Sequence, residues 1–125
     1  MHTLNDVRIE AELRQDGILL ARTAGELDAL GAPVLRDYLD TGLGTSDFVL
    51  DLEDVTFLGS SGLQVLLDTD AAATRRGQRW AVVGSHRAVT RPIELTGLAG
   101  LLPLRPDVPA AISWLTLPRP AAAAH

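Results

Sequence analysis

The segment VLDLEDVTFLGSSGLQVLL, Val49–Leu67, decides the fold, because it joins a buried strand to a helix through a serine-containing loop. The strand lies in DFVLDL, a short and nearly all-apolar run, as expected where both faces of a sheet are covered. The loop EDVTFLGSS follows, and apolar residues then recur at spacings of three and four. This spacing predicts a helix that starts near Ser61 and runs to the stop signal at Arg75–Gly77.

Upstream of this segment, the pattern predicts a β-hairpin and then a helix. Apolar and polar residues alternate from Val7 to Leu13, turn at Gln15–Gly17 and resume from Ile18, which is typical of a hairpin. Four later apolar positions share one helical face: Val34, Leu35, Tyr38 and Leu39. This first helix is predicted to end near Thr41–Gly42.

Downstream, two more strands and two more helices are predicted. RWAVVG is typical of another buried strand, and LLPLRP of an edge strand, since it contains an internal proline. A third helix is expected from His86 to Leu98, with Pro92 either kinking it or delaying its start. Asp107 is predicted to cap a last helix. The buried stripe of that helix has four members: Val108, Ala111, Ile112 and Leu115.

The order of these elements predicts the fold class. Hairpin, helix, strand, helix, strand, helix, strand, helix is the pattern of an α/β domain with βαβ crossovers. We expect a mixed, mostly parallel sheet of four to five strands, with an N-terminal hairpin and about four helices. The domain is expected to span residues 1–117, and PRPAAAAH at residues 118–125 is expected to be a flexible tail.

Functional loops of such a sheet gather beyond the carboxyl ends of its parallel strands. Three loops meet this description: GELDALG, EDVTFLGSSG and GSHRA. They are expected to bring five polar residues toward one edge: Asp28, Ser60, Ser61, Ser85 and His86.

The composition excludes several classes of function. The 125 residues are 46% hydrophobic, which suffices for one aliphatic core, and only 4% are aromatic. With a net charge of −5 and so few rings for base stacking, we expect no binding to nucleic acid. The chain has no cysteine and no apolar run near the ~18 residues of a membrane span. The sequence therefore predicts a cytoplasmic protein without membrane insertion.

The serine pair is the candidate functional feature, and catalysis is the first interpretation to exclude. A serine hydrolase carries the motif G-x-S-x-G, and counting from Gly59 places Leu63 where the last glycine belongs. His86 is the one histidine away from the termini, and a lone histidine in a surface loop is usually just solvated. No residue is therefore assigned a catalytic role.

Metal and nucleotide sites are excluded in the same way. No two histidines or cysteines lie at ligand spacing, and DLED at 51–54 is expected to be a strand end with solvated carboxylates. GSSGL lacks the lysine and the glycine spacing of a P-loop. The sequence predicts neither a metal nor a cofactor.

Two interpretations of the serine pair stay open. A serine hydroxyl is a favoured helix N-cap, so Ser60 and Ser61 would serve only to begin the helix. Alternatively, a phosphate on Ser61 would meet the free N–H groups and the positive end of the helix dipole. Such a phosphate adds about −1.5 to −2 charges at the mouth of the loops and would repel a partner docked there.

Four blocks of the sequence resemble the STAS domain in order and spacing. These are GELD, VLDLEDVTFLGSSGLQVLL, WAVVG and ELTGLAGLLPL, and the resemblance covers about Val7 to Leu115. The most similar form is the bacterial anti-sigma factor antagonist, a switch protein and not an enzyme. The resemblance implies binding to an anti-sigma factor that is also a serine kinase of the GHKL ATPase type, which releases a sigma factor. It further implies that phosphorylation of Ser61, rather than Ser60, abolishes binding and that a PP2C-like phosphatase restores it.

The resemblance also implies a partner-binding surface. Its members are Asp28, Gly59, Ser60, Ser61, Gly62, Leu63 and Gln64. The sequence departs from the family pattern at three positions: Gly59 replaces an Asp, Gln64 replaces a Gly, and Pro92 replaces a helix-forming apolar residue. Within the same fold, a STAS subunit of a lipid-transport ABC complex or a signalling scaffold is the alternative, and neither needs a phosphorylation cycle.

Overall fold

The computed structural model describes residues 7–118, which form five strands, four α-helices and one short 3₁₀ helix. The strands are β1 Arg8–Leu13, β2 Leu19–Leu27, β3 Phe48–Leu58, β4 Trp80–Val83 and β5 Leu104–Arg105. The helices are α1 Ala32–Thr41, α2 Ser60–Arg76, α3 Arg87–Leu95 and α4 Val108–Leu115, with the 3₁₀ turn at Leu98–Gly100.

The five strands form one sheet in the order β1-β2-β3-β4-β5. β1 pairs with β2 in antiparallel orientation, and every later neighbour is parallel. The predicted hairpin, the mostly parallel sheet and the edge position of β5 are therefore confirmed.

Helices cover the two faces of the sheet unequally. Because side chains alternate along a strand, Leu50 and Val82 belong to one core cluster, and their neighbours Val49 and Val83 to another. Helices α1, α2 and α3 bury their apolar faces in the first and larger cluster, and α4 packs on the second. Fully buried Leu35, Leu66 and Ile93 anchor the three helices to the sheet.

The strand β3 is longer than the sequence predicts. EDVTFLGSS was expected to be a loop, but β3 continues through Glu53 as far as Leu58 and pairs with β2 throughout. The register shifts between Arg22 and Ala24, and again between Gly25 and Glu26, as at β-bulges. Pairing with a nine-residue β2 overrides the polar local composition, so the loop prediction is wrong.

The helix α3 is shorter than predicted. It begins at Arg87, accommodates Pro92 inside and ends at Leu95 rather than Leu98. The Thr96 hydroxyl donates to the Pro92 carbonyl at 2.7 Å, and Gly97 then adopts a left-handed φ of +75°. This glycine turns the chain out of the helix and into the 3₁₀ turn.

The last helix confirms the predicted cap. The Asp107 carboxylate accepts from the Ala110 N–H at 2.8 Å, and Ala111 and Leu115 are buried. α4 ends at Leu115, close to the predicted domain end at residue 117. Residues 119–125 of the expected tail and residues 1–6 lie outside the described residues.

Candidate functional site

Both serines of the pair lie inside α2 rather than at its cap. Gly59 is the N-cap residue, with no side-chain cap hydrogen bond, and Ser60 and Ser61 are the first two residues of the helix. Neither hydroxyl makes a hydrogen bond to another residue in the range 7–118. The interpretation of the serines as helix caps is therefore wrong, because the cap position belongs to Gly59 and both serines already lie within the helix.

The amino end of α2 is open to an anion. Leu63 is the first residue whose N–H is paired, with the Gly59 carbonyl at 2.9 Å. The N–H groups of Ser60, Ser61 and Gly62 have no acceptor among the described residues, and the first turn contains no acidic side chain. Three unpaired amides at the positive end of the helix dipole attract negative charge.

Close packing of backbone holds this helix start in place. The Gly59 N–H donates to the Leu27 carbonyl at 3.1 Å, which ties the start of α2 to the end of β2. A Cβ added to Gly62 would lie 2.6 Å from Leu58 Cδ1 and 2.9 Å from the Leu27 carbonyl oxygen. Only glycine fits there without displacing neighbours. Gly62 and the adjacent Leu63, both members of the predicted partner surface, are buried against the core rather than exposed.

Ser61 borders a groove between α1 and α2, whereas Ser60 is exposed. The groove is lined by Ala29, Ala32, Pro33, Arg36, Ser61, Gln64 and Val65. Arg36 and Gln64 both donate to the Asp68 carboxylate, at 2.8 and 2.9 Å. These hydrogen bonds hold the pKa of Asp68 below its ordinary value. A cationic side chain, already satisfied by a carboxylate, therefore shares a groove with Ser61.

Asp28 shapes the loop between β2 and α1. Its Oδ1 accepts from the N–H groups of Leu30 at 3.0 Å and Gly31 at 2.7 Å. The next residue, Ala29, borders the same groove as Ser61. The structure thus brings the loop of Asp28 to the serine pair, as the sequence predicts.

Ser85 and His86 form a separate cluster around Glu53. The Ser85 hydroxyl donates to Glu53 Oε2 at 3.0 Å, and its N–H donates to Oε1 at 3.2 Å. Beyond Glu53, β3 continues for five residues to Leu58, on the order of 16 Å at the usual rise of a strand. The predicted gathering of five polar residues at one edge is therefore divided in two.

His86 is fully engaged in this second cluster. Its Nε2 lies 2.7 Å from the Val55 carbonyl, to which it donates, and its Nδ1 lies 3.1 Å from Glu53 Oε1. Burial acts to raise the pKa of Glu53, but the hydrogen bonds from Ser85 and the close contact with His86 outweigh it, so this pKa is lowered. With both ring nitrogens occupied, His86 is not a base for Ser61.

Asp51 is buried, contrary to the expectation of solvated carboxylates at 51–54. It is 9% exposed, and its Oδ1 accepts from the Glu53 N–H at 2.9 Å. Burial raises the pKa of this carboxyl above its ordinary value, and Arg22 at 3.8 Å offsets only part of that effect. Its position on the sheet face under α4 explains the burial.

Within residues 7–118, no three histidine, cysteine or acidic side chains come together as a metal site would require. In the same part of the chain, no helix combines the length and the apolar character needed to cross a membrane.

Sequence reasoning missed three residues next to the serine pair. Arg36 and Asp68 are 32 positions apart and meet only because α1 packs on α2. Phe57 was placed in a loop but is the second-to-last residue of the long strand β3, and it is 49% exposed. The two ionic residues carry no local signal, whereas an aromatic residue two positions before Gly59 and the serine pair is a visible hint.

Comparison with known proteins identifies the family. The STAS domain model matches residues 9–111. An anti-sigma F factor antagonist from Paenibacillus polymyxa is 29% identical over 102 residues, which cover 79% of this chain and 86% of that protein. An anti-sigma-B factor antagonist from Staphylococcus aureus is 30% identical over 90 residues, covering 70% and 83%.

A solved structure gives the same result. The crystal structure of an anti-sigma factor antagonist from Mycobacterium paratuberculosis matches with a TM-score of 0.80 and 31% identity. The match covers 88% of this chain and 94% of that one. The resemblance inferred from the four sequence blocks is confirmed: the chain belongs to the STAS domain family, alongside anti-sigma factor antagonists.

Proposed function

We propose that this protein is an anti-sigma factor antagonist switched off by phosphorylation at Ser61. Its partner is an anti-sigma factor of the serine-kinase, GHKL ATPase type, and a PP2C-like phosphatase reverses the modification. Relatives named as anti-sigma factor antagonists, at 29–31% identity over most of the chain, support the general function. The kinase supplies the nucleotide, its metal and the catalytic base, so this chain needs only to present a serine.

The observation that carries the proposal is the unused hydroxyl of Ser61 on a rigid helix start. The hydroxyl has no hydrogen bond within the described residues, so a kinase can take it without breaking a contact of the fold. The packing of Gly62 against Leu27 and Leu58 keeps the backbone fixed while the hydroxyl is modified. A fixed backbone with a free nucleophilic oxygen suits an acceptor residue.

The surroundings of α2 also suit the product. A phosphate on Ser61 would have three unpaired helix amides within the same turn, and Arg36, which also holds the Asp68 carboxylate, in the same groove. The amides and Arg36 both stabilise the doubly charged phosphate, so the modified protein is expected to stay folded. The change is then confined to the surface, where about −1.5 to −2 new charges repel a partner seated on the α2 start.

Arg36 favours Ser61 over Ser60 as the acceptor. Ser61 lies at the groove that contains Arg36, whereas Ser60 is exposed outside it. A phosphate on Ser60 would have the same helix dipole but no cation in a shared groove. This preference agrees with the position that the family resemblance implies.

The proposal is tested with four baits in extract from the native host. Wild type and Ser61→Ala are expected to capture the same kinase-type ATPase, and Ser61→Glu to capture at least about tenfold less, because the carboxylate mimics part of the phosphate charge. Ser60→Glu is the matched control, with the same new charge one residue away, and is expected to retain more partner than Ser61→Glu. The captured ATPase, purified and given ATP, should phosphorylate wild type but not Ser61→Ala.

Two results would contradict the proposal. If wild type and Ser61→Glu captured equal amounts of the ATPase, added charge at Ser61 would not control binding. Capture of the same membrane transporter subunits by all four baits would favour the lipid-transport alternative.

A further inference from the structure

A second groove lies between the end of β3 and α3. Its walls are formed by Phe57, Leu58, Arg87, Arg91, Pro92 and Leu95. The rings and aliphatic groups of Phe57, Pro92 and Leu95 make it mainly apolar, and Phe57 and Leu95 are 49% and 71% exposed. A contiguous apolar surface with a charged border is typical of a site that binds another molecule.

Two arginines border this groove without internal partners. Arg87 and Arg91 lie one turn apart on α3, and both are exposed. Neither guanidinium makes a hydrogen bond or ion pair with another residue in the described part of the chain. Like charges at this spacing destabilise a helix, so α3 carries a local conflict that a negative partner would relieve.

The groove is continuous with the start of α2. A Cβ added to Gly59 would lie 2.8 Å from Phe57 Cε2, so the Phe57 ring packs directly over the residue that precedes the serine pair. Phe57 therefore lines the groove and also contacts the residue that precedes the serine pair. A partner seated on Ser60 and Ser61 would reach the groove without crossing other surface.

We infer that the groove docks an acidic segment of the anti-sigma factor that presents apolar side chains toward Phe57 and Leu95. The inference rests on the proposed function for the identity of the partner only. Charge complementarity selects the occupant, because Arg87 and Arg91 are an unpaired positive pair on a chain of net charge −5. The same net charge disfavours an anionic membrane, which usually requires a larger basic cluster. It also disfavours a second copy of this chain.

The chemistry of the groove can be tested without the partner. The probe is a helical peptide of roughly 15 residues, with leucine along one face and glutamate along the other, added to the ¹⁵N-labelled protein. The amide signals of Phe57, Arg91 and Leu95 should shift, and the same peptide with lysine for glutamate should bind at least about tenfold more weakly. Equal binding of the two peptides, or shifts only outside the groove, would overturn the inference.

Two other occupants are outcomes of the same experiment. Vesicles of phosphatidylglycerol and phosphatidylcholine should leave these three signals unchanged, as should raising the protein concentration alone. Signal loss with vesicles but not with the acidic peptide would assign the groove to a membrane. Concentration-dependent shifts at the groove would assign it to a second copy. Either result overturns the inference.

Paired charge reversals test the same site by mutation. Arg87→Glu with Arg91→Glu should weaken binding of the acidic peptide at least about tenfold. The matched control is Arg75→Glu with Arg76→Glu, two exposed arginines at the far end of α2, which should leave binding unchanged. A thermal melt of each variant separates loss of binding from loss of folding. An equal loss in both folded pairs would show a general charge effect and overturn the inference.

The anti-sigma factor then distinguishes this inference from the proposed function. The groove variant should bind the captured ATPase at least about tenfold more weakly than wild type. If it binds equally while Ser61→Glu binds poorly, the groove inference fails and the proposed function stands. If no such ATPase is captured but the acidic peptide still binds at the groove, the proposed function fails and the groove remains a docking site for an acidic segment.

Discussion

Serines lie at the start of α2 and just before α3, and different forces hold these two places. At the start of α2, backbone packing around Gly62 fixes the chain, and the hydroxyls of Ser60 and Ser61 take no part. At the start of α3, the side chain of Glu53 fixes the chain by accepting from Ser85 and meeting His86. A serine's position near a strand end therefore does not determine whether the fold uses its hydroxyl. A hydroxyl that the fold does not use can be modified, whereas a hydroxyl that holds a loop cannot be taken without loss of stability.

The largest effect is expected when the packing at the start of α2 is disturbed. In Gly62→Val, the new side chain would meet the Leu27 carbonyl and Leu58, so overpacking should lower the free energy of unfolding by about 2–3 kcal/mol. Partner binding should fall as well, since the serines would move. Urea denaturation followed by circular dichroism measures the first effect, and capture of the ATPase measures the second.

Gly100→Val is the matched control for this substitution. Nothing lies within 4 Å of a Cβ added to Gly100, which is exposed in the 3₁₀ turn. Its free energy of unfolding should stay within about 0.5 kcal/mol of wild type. An equally small effect of Gly62→Val would mean that packing does not hold the α2 start.

The next largest effect is expected when the contacts of the loop before α3 are removed. Glu53→Ala removes the acceptor for two groups of Ser85 and the neighbour of His86, and should lower the free energy of unfolding by about 1–1.5 kcal/mol. The side chain is 36% exposed, so water replaces part of what is lost. Amide exchange at Ser85 and Val89 should accelerate, while exchange at Leu63 should not change.

Asp54→Ala provides the control, because the adjacent carboxylate is exposed and makes no hydrogen bond to a described residue. Its effect on stability should be within about 0.5 kcal/mol. If Glu53→Ala and Asp54→Ala lost equal stability, the cause would be the changed charge of the strand and not the contacts with Ser85 and His86.

Low pH is expected to weaken the contacts of Glu53 in the loop before α3. Hydrogen bonds lower the pKa of Glu53 below its ordinary 4.5, so its contribution is complete above that pH and is lost as pH falls through the folded-state pKa. The stability gap between wild type and Glu53→Ala should therefore narrow below about pH 4.5. Denaturation curves between pH 7 and pH 3 test this, with Asp51 and Asp54 present in both proteins. A gap that is constant with pH would contradict the role of the ionised carboxylate.

The order of elements could be predicted from sequence because it depends on local periodicity. The spacing of Leu63, Leu66 and Leu67 gave the helix α2, and Asp107 gave the start of α4, with no knowledge of neighbours. The alternation of helices and strands then left few topologies open, and the observed, mostly parallel sheet is one of them.

What sequence could not predict depends on contacts distant in the chain. Residues Glu53–Leu58 form a strand only because β2 extends alongside, and Glu53 meets His86 across 33 positions. The cap of α2 was misassigned for a related reason: pairing with β2 carries β3 up to Leu58 and leaves Gly59 alone to cap the helix. The serine pair was found by its position, but its freedom from hydrogen bonds is a property of the packed structure.

The smallest expected effect is the sharpest test of the comparison. Ser61→Ala removes a hydroxyl without hydrogen bonds in the described structure, and alanine is the slightly better helix former, so the free energy of unfolding should change by less than about 0.5 kcal/mol. Ser85→Ala loses the hydroxyl contact with Glu53 and should cost about 0.5–1 kcal/mol. Both substitutions remove one oxygen from a serine beside a helix start, so the difference between them isolates the use that the fold makes of each hydroxyl. Denaturation of the two variants side by side measures it, and a loss of more than 1 kcal/mol in Ser61→Ala would show that this hydroxyl is structural and unsuited to a reversible switch.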